Sequence, residues 1–148
     1  MRTSLLIACS AIALISCSPS SDKTSGSPAS SASAAARAQL PFIGFVDVPV
    51  EGASVRGKLD IGGWVLWGEG LRNVVVLIDN QPSGSIQVNV PRPDVAKGYP
   101  QYENPGAGWG GPIDISNLAP GKHTVSVQAY SNAGTMHDVK TFTVNVVK

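Results

Sequence analysis

From Leu40 to Lys148 no stretch keeps a helical apolar period for three turns, whereas several stretches alternate with a period of two. Ile86, Val88 and Val90 fall on one face of Ser85–Val90. Val125, Val127 and Ala129 continue in phase from His123, against Thr124, Ser126 and Gln128. Phe142, Val144 and Val146 alternate with Thr141, Thr143 and Asn145. Such alternation marks strands with one face buried and the other wet, and it restricts the chain to antiparallel sheet. Val74–Ile78 is apolar on both faces, which predicts a central strand covered on both sides. Asp79–Gly84 and Ser131–Gly134 carry the turn residues of hairpins. Together these predict an all-β sandwich of about seven strands with Greek-key-like connections.

The chain divides once, and no internal repeat is present. Ser18 to about Gln39 is rich in Ser, Ala, Pro and Gly with almost no large apolar residue, so it cannot bury a core. It reads as a disordered tether with a reach of roughly 25 Å, in which Ala34–Ala38 offers no more than a transient helical turn. The sandwich is expected over residues 41–148.

The first residues read as an export signal. Arg2 provides a positive start, Leu5 to Ile15 an apolar run, and small residues close it. The run is shorter than the ~20 apolar residues of a transmembrane helix. Leu14-Ile15-Ser16-Cys17 resembles the lipobox of bacterial lipoprotein precursors, and Ser18-Pro19-Ser20-Ser21 begins the polar tether at once. Leu6-Ile7-Ala8-Cys9 matches the same pattern but leaves too little apolar sequence before it. The resemblance implies cleavage after residue 16, a diacylglycerol on Cys17 and a further acyl chain, such as palmitate, on its amine. At about 0.8 kcal/mol per buried CH₂, two or more chains hold a protein firmly on a membrane. It further implies a cell-envelope location, at the outer membrane if the host is Gram-negative, because Ser18 rather than Asp follows the cysteine. The expected division is therefore residues 1–16 signal peptide, 17–40 lipidated cysteine and tether, and 41–148 sandwich.

Composition removes several function classes. Both cysteines, Cys9 and Cys17, precede the domain, so residues 41–148 have no disulfide, no thiol nucleophile and no cysteine zinc site. The chain has 11 basic and 10 acidic residues, and loss of Arg2 with the leader leaves it neutral. A nucleic-acid partner is not expected, since phosphate binding needs a basic surface, and no polybasic patch faces anionic lipid. No Gly-x-Ser-x-Gly elbow, His-Glu-x-x-His pair or phosphate-binding glycine loop occurs. The expectation is a chain that is not an enzyme and has no cofactor. A small hydrolase built on a chance pair of carboxylates is the remote alternative.

Several motifs then recur in a recognisable order: Gly44-Phe45-Val46-Asp47-Val48-Pro49, Gly57, Gly63-Trp64, Asp79-Asn80, Arg92-Pro93-Asp94-Val95, Tyr99-Pro100, Gly108-Trp109 and Pro120-Gly121-Lys122-His123-Thr124-Val125-Ser126-Val127. In that order, over residues 42–147, they resemble an immunoglobulin-like domain appended to many exported bacterial proteins. The resemblance implies an immunoglobulin-like antiparallel β-sandwich at the cell surface and no shared enzymatic activity. The cysteine pair and corner tyrosine of antibody domains are missing, so nothing that depends on a disulfide carries over.

The candidate contact surface is the loop Arg92–Trp109, within the longest connection, from Pro91 to about Pro112. Arg92, Asp94, Tyr99, Tyr102 and Trp109 are its candidate binding residues, because exposed aromatics among glycines stack on sugars or anchor partners. Exposure of the aromatics would mark a module that contacts an envelope protein or glycan; their burial would mark an envelope spacer without a ligand. Arg92 is placed to pair with Asp94 or another carboxylate, and Asp94 to cap the backbone after it. A sharper alternative gathers Asp94, Glu103 and Asn104 around a cation, although no metal site is expected. His123 sits at a strand entry after a Pro-Gly turn and reads as a structural corner, with His137 too far away to form a metal pair. Trp64 is expected in the core and Trp67 near the rim. Replacing Cys17 with Ser should abolish incorporation of labelled fatty acid. Lipid retained by Cys17→Ser would refute the lipobox.

Overall fold

The computed structural model describes residues 28–148 apart from Ser85. The leader, Cys9, the lipobox with Cys17 and the start of the tether lie outside the described residues. Strands β1 (Ile43–Val48), β3 (Lys58–Leu66), β7 (Gly108–Asp114) and β6 (Gln87–Val90) form one sheet in the order β1-β3-β7-β6. Strands β2 (Ala53–Val55), β9 (Met136–Val146), β8 (Gly121–Ser131), β4 (Leu71–Ile78) and β5 (Gln81–Pro82) form the other in the order β2-β9-β8-β4-β5. Neighbouring strands are antiparallel except β2, which runs parallel to β9. The two sheets make a β-sandwich of nine strands among the described residues, two more than expected. Among the strands not expected are the edge pieces β2 and β5, three and two residues long, too short to show any periodicity.

The alternating segments bury the faces that the sequence assigns. Phe142, Val144 and Val146 on β9 meet Val125, Val127 and Ala129 on β8 and Val74, Val76 and Ile78 on β4. Leu59, Ile61, Val65, Trp109 and Ile113 face them from the other sheet. Strand β4 differs from expectation, because Val75 and Leu77 stay half-buried and only its inner face is fully covered. Asp79 and Asn80, both at positive φ (50° and 65°), form the two-residue turn from β4 to β5. The chain then leaves that sheet, so the segment expected to close a hairpin with β4 becomes β6 of the opposite one. Ile86 and Val88 pack on the core as the alternation predicts. A register shift between Val88 and Val90, with Asn89 at φ 61°, breaks the phase before Val90.

The largest departure is β7. Gly108–Asp114 reads as loop from its glycines and Pro112, yet it lies between β3 and β6. Gly108 and Gly110 leave no room for a side chain against the neighbouring strands. A Cβ at Gly110 would meet the Ile61 carbonyl oxygen at 2.8 Å, and one at Gly108 the Val90 carbonyl oxygen at 2.7 Å. Across from Trp109, a Cβ at Gly63 would strike the Phe45 carbonyl oxygen and come within 2.9 Å of the indole.

Part of the expected tether is also ordered. Helix α1 (Pro28–Ala38) is built on an alanine-rich run, and its last turn is docked on the domain: Arg37 pairs with Glu103 at 2.7 Å. Gly68 lies directly beneath the Arg37 carbonyl, where a Cβ would not fit. Gly63→Ala should therefore destabilise the domain by about 2–3 kcal/mol, the cost of overpacking a closed site. Gly111→Ala, with nothing within 4 Å of the added carbon, should stay close to wild type. Urea unfolding of the two variants side by side tests the distinction, and equal midpoints would contradict it.

Candidate functional site

The connection from Pro91 to Ala107, up to the start of β7, folds back over the outer face of the four-stranded sheet. Helix α2 (Pro93–Gly98) and the 3₁₀ turn η1 (Pro100–Tyr102) bring Val95 and Tyr102 onto Leu66 and Ala107, with Leu40, Ile43, Trp64 and Tyr99 around them. This is a second, smaller core on the outside of the sheet. Tyr102 is 3% exposed and its hydroxyl donates to the Pro41 carbonyl at 2.7 Å; burial, then Tyr99, pushes its pKa up. Trp109 is 2% exposed in the main core. Neither can touch a partner, so two of the five candidate binding residues are packing residues. A long loop needs pinning, and its aromatics do that.

Arg92 is spent in a similar way. Its Nε donates to Asp94 Oδ1 at 2.9 Å and its Nη2 to Asp94 Oδ2 at 2.7 Å, a two-pronged grip. Its Nη1 donates to Asp47 Oδ2 at 2.6 Å on β1. One guanidinium thus ties the start of α2 to the end of β1, an edge strand of the sheet. The pairing drives the Asp94 pKa down to about 2 and raises that of Arg92. Asp94 lies in the first turn of α2 instead of capping it, since the cap position is Arg92. The proposed cation cluster does not assemble. Asp94 is held by Arg92, Glu103 pairs with Arg37, and Asn104 Oδ1 accepts from the Gly106 amide at 3.1 Å. Among the described residues no group of three acidic, histidine or cysteine side chains comes together.

Aromatic exposure lies one strand away from where the sequence points. Phe45 on β1 is 53% exposed and stacks on Trp64 of β3, with centroids 6.3 Å apart and planes 23° from parallel. Trp64 leans on Tyr99 at 5.7 Å, and Tyr99 meets Tyr102 edge-on at 6.4 Å. Val48 at the end of β1 and Val50 just beyond it are also exposed, at 50% and 71%. Gly62 and Gly110, paired across β3 and β7, leave the sheet bare beside Trp64. The two tryptophans exchange their expected places. Trp67 is in the core with Phe42 edge-on at 5.1 Å, while Trp64 is half-buried on the outer face. The phase inverts because Gly63, in phase with Ile61 and Val65, takes the inner position. The sequence signal for Phe45 was its alternation with buried Val46 in β1.

His123 is the corner that its position suggests. Nδ1 donates to Asp79 Oδ2 at 2.6 Å and Nε2 to the Ala119 carbonyl at 2.8 Å, while the Thr124 amide donates to Asp79 Oδ1 at 3.0 Å. Both ring nitrogens face acceptors, an arrangement that favours the doubly protonated, cationic ring. Its pKa is raised by the Asp79 bond and then the Ala119 bond, and that of Asp79 is lowered by His123 and then Thr124. His137 stacks on Phe42 at 4.8 Å instead, on the edge of Trp67.

No protein-family model matches the chain, and no curated protein matches it either. The chain is similar to several solved structures. An endo-β-1,4-mannanase from Thermotoga petrophila superposes with a TM-score of 0.54 at 11% identity, over 74% of this chain and 20% of that one. The chain thus spans about a fifth of the mannanase. CopC from Methylosinus trichosporium OB3b gives a TM-score of 0.40 at 13% identity, over 70% of this chain and 92% of that one. The SrpA adhesin of Streptococcus sanguinis gives 0.43 at 15% identity, over 73% and 59%.

The His123–Asp79 pair has a pH signature. A raised histidine pKa adds stability that is complete below the ordinary value of 6.5 and is lost as pH rises through the higher folded value. A lowered aspartate pKa adds stability present above the ordinary value of 3.8 and lost as pH falls through the lower folded value. The Tm gap between wild type and Asp79→Asn should be widest between those ordinary values and narrow on either side. Asparagine keeps the positive φ of position 79, so the comparison isolates the charge. A gap independent of pH would contradict the pairing.

Proposed function

We propose that this chain is a lipid-anchored lipoprotein of the cell envelope whose immunoglobulin-like sandwich works by non-covalent contact with an envelope protein or glycan, without catalysis. The observation that carries the reading is Phe45, half in solvent yet stacked flat on Trp64 on the outer face of the four-stranded sheet. A large apolar ring left half in water, with Val48 of the same strand also exposed, is the kind of feature that marks a contact surface. The contact face therefore centres on Phe45, Trp64 and Tyr99, with the Arg92–Asp47–Asp94 grip beside it as a rigid support.

Anchoring rests on Leu14-Ile15-Ser16-Cys17 and the export signal before it. The immunoglobulin-like assignment is supported by strand order. β1-β3-β7-β6 corresponds to the A-B-E-D sheet of that fold, and β9-β8-β4 to its G-F-C sheet. A second reading, an envelope spacer with no ligand, draws support from the burial of Tyr102 and Trp109.

One experiment separates the two. Crosslinked pull-down from envelope fractions, together with a glycan array, should recover a specific partner with the wild-type chain and lose it with Phe45→Ala. That variant should lower Tm by only a few degrees, because the ring is half-exposed. No specific partner, or the same partner retained by Phe45→Ala, would reject this contact face.

A further inference from the structure

Helix α2 and η1 cover the outer face of the four-stranded sheet around Leu66, and Phe45 and Trp64 stand at the margin of that cover. The next row of the face runs Val48, Gly62, Gly110 and Gln87 across β1, β3, β7 and β6. Both glycines are part-exposed and Val48 and Gln87 are exposed, so solvent reaches the whole row. Val48 leans toward the glycines, its Cγ2 lying 3.8 Å from where a Cβ of Gly62 would be. One row further, Asp60 is exposed opposite Pro112. The stem of Arg92 lies above Gly108, where a Cβ would meet its Cγ at 2.9 Å, and its guanidinium ends on Asp47 of β1. The face thus holds a floor of bare backbone, with aromatic rings toward one side, Asp60 on the other and Gln87 at one end.

What can lie on such a floor is limited by its chemistry. β3 and β7 are central strands paired on both edges, so the backbone groups beneath the floor are committed to the sheet. An extended peptide laid there would find no backbone partners, and strand addition needs an open edge that these strands lack. An anion would meet Asp60 and Asp47, while the next outward residue of β3, Lys58, stands opposite Asp114. A hard cation wants several carboxylates, and among the described residues no three acidic, histidine or cysteine side chains gather.

A neutral sugar chain fits these limits. The C–H face of a pyranose stacks on an aromatic ring and lies flat on bare backbone, while its hydroxyls point outward from the ring edge. Those hydroxyls donate to the Asp60 carboxylate and both give to and take from the Gln87 amide. Four residues of β3 separate Trp64 from Asp60, about 13 Å of strand, which suits a short run of rings better than one. We propose that the outer face of the four-stranded sheet binds a neutral oligosaccharide, stacked on Phe45 and running over Gly62 and Gly110 to Asp60. This inference rests on the reading of Phe45 as the contact face and narrows the partner to a glycan.

The test is an amide NMR titration of the isotope-labelled full chain in detergent micelles. Cellohexaose, mannohexaose and chitohexaose are the neutral probes, with a hyaluronan hexasaccharide as the charged control. Saturable shifts at Phe45, Gly62 and Gly110 with at least one neutral probe are expected. Phe45→Ala should weaken that affinity about tenfold and Asp60→Ala about fivefold. If Phe45→Ala does not fold, Asp60→Ala, at an exposed position, decides alone. The proposal is overturned if no neutral probe gives saturable shifts at these residues, or if only hyaluronan does. It is equally overturned if a folded variant binds as wild type. If the sugars fail while a crosslinked protein partner still depends on Phe45, the contact face stands and its occupant is a protein. If both fail, the contact face falls together with the saccharide.

Discussion

Trp109 fills the space between the sheets only because Gly63, opposite it on β3, has no side chain. The two residues are paired across β3 and β7, and the indole comes so close to Gly63 that a single added carbon would sit 2.9 Å from it. One very large and one absent side chain therefore share a site that two medium ones would fill less well. In a domain without a disulfide, dense packing of this kind has to supply what a covalent bridge supplies elsewhere. It has a cost, because the Trp109 indole N–H is buried without a partner. A buried unpaired donor costs about 1–3 kcal/mol, which burial of a whole indole offsets.

The ends of the sandwich are fixed by charge instead of apolar contact. Arg92 links Asp47 and Asp94, Arg37 links α1 to Glu103, and His123 links Asp79 to the Ala119 carbonyl. Each joins elements far apart in sequence, where loop closure has removed most entropy. All are partly wet, so each adds modestly to stability while fixing geometry closely. Arg92 does so most economically, since one planar guanidinium meets one carboxylate on the edge strand β1 and another in the first turn of α2.

Whatever depends on a single strand was legible in the sequence, and whatever depends on strands meeting was not. β8 and β9 alternate over many residues and bury the expected faces. His123 was legible as a corner because its phase and its Pro-Gly turn are local. β7 was not, since glycine is a poor strand former in isolation and is required there only by the approach of β3 and β6. The same blindness moved the contact residues. Tyr102 and Trp109 look free along the chain, and only the return of α2 and η1 over the sheet shows that they are enclosed. Phe45 gave half a signal, its phase opposite to Val46. Nothing local shows that its outer face stays bare while the neighbouring part of the sheet is covered. Gly62 and Gly110 gave none, because a bare floor is a property of the packed sheet.

Helix α1 changes the physics of the segment before the domain. A reach of roughly 25 Å assumes that residues 18–39 behave as one flexible coil. Eleven of them are helical, and a helix of that length is a rod of about 16 Å. The rod does not swing freely at its base, because Gly68, Glu103 and the Tyr102–Pro41 hydrogen bond hold the chain as it enters β1. A pull along the N-terminal segment would therefore act on Arg37 and Glu103 before it reached any strand. Those two residues also line a polar cleft. The entry point of the chain and a polar concavity of the domain are thus one structure. Loosening the Arg37–Glu103 pair would alter both together.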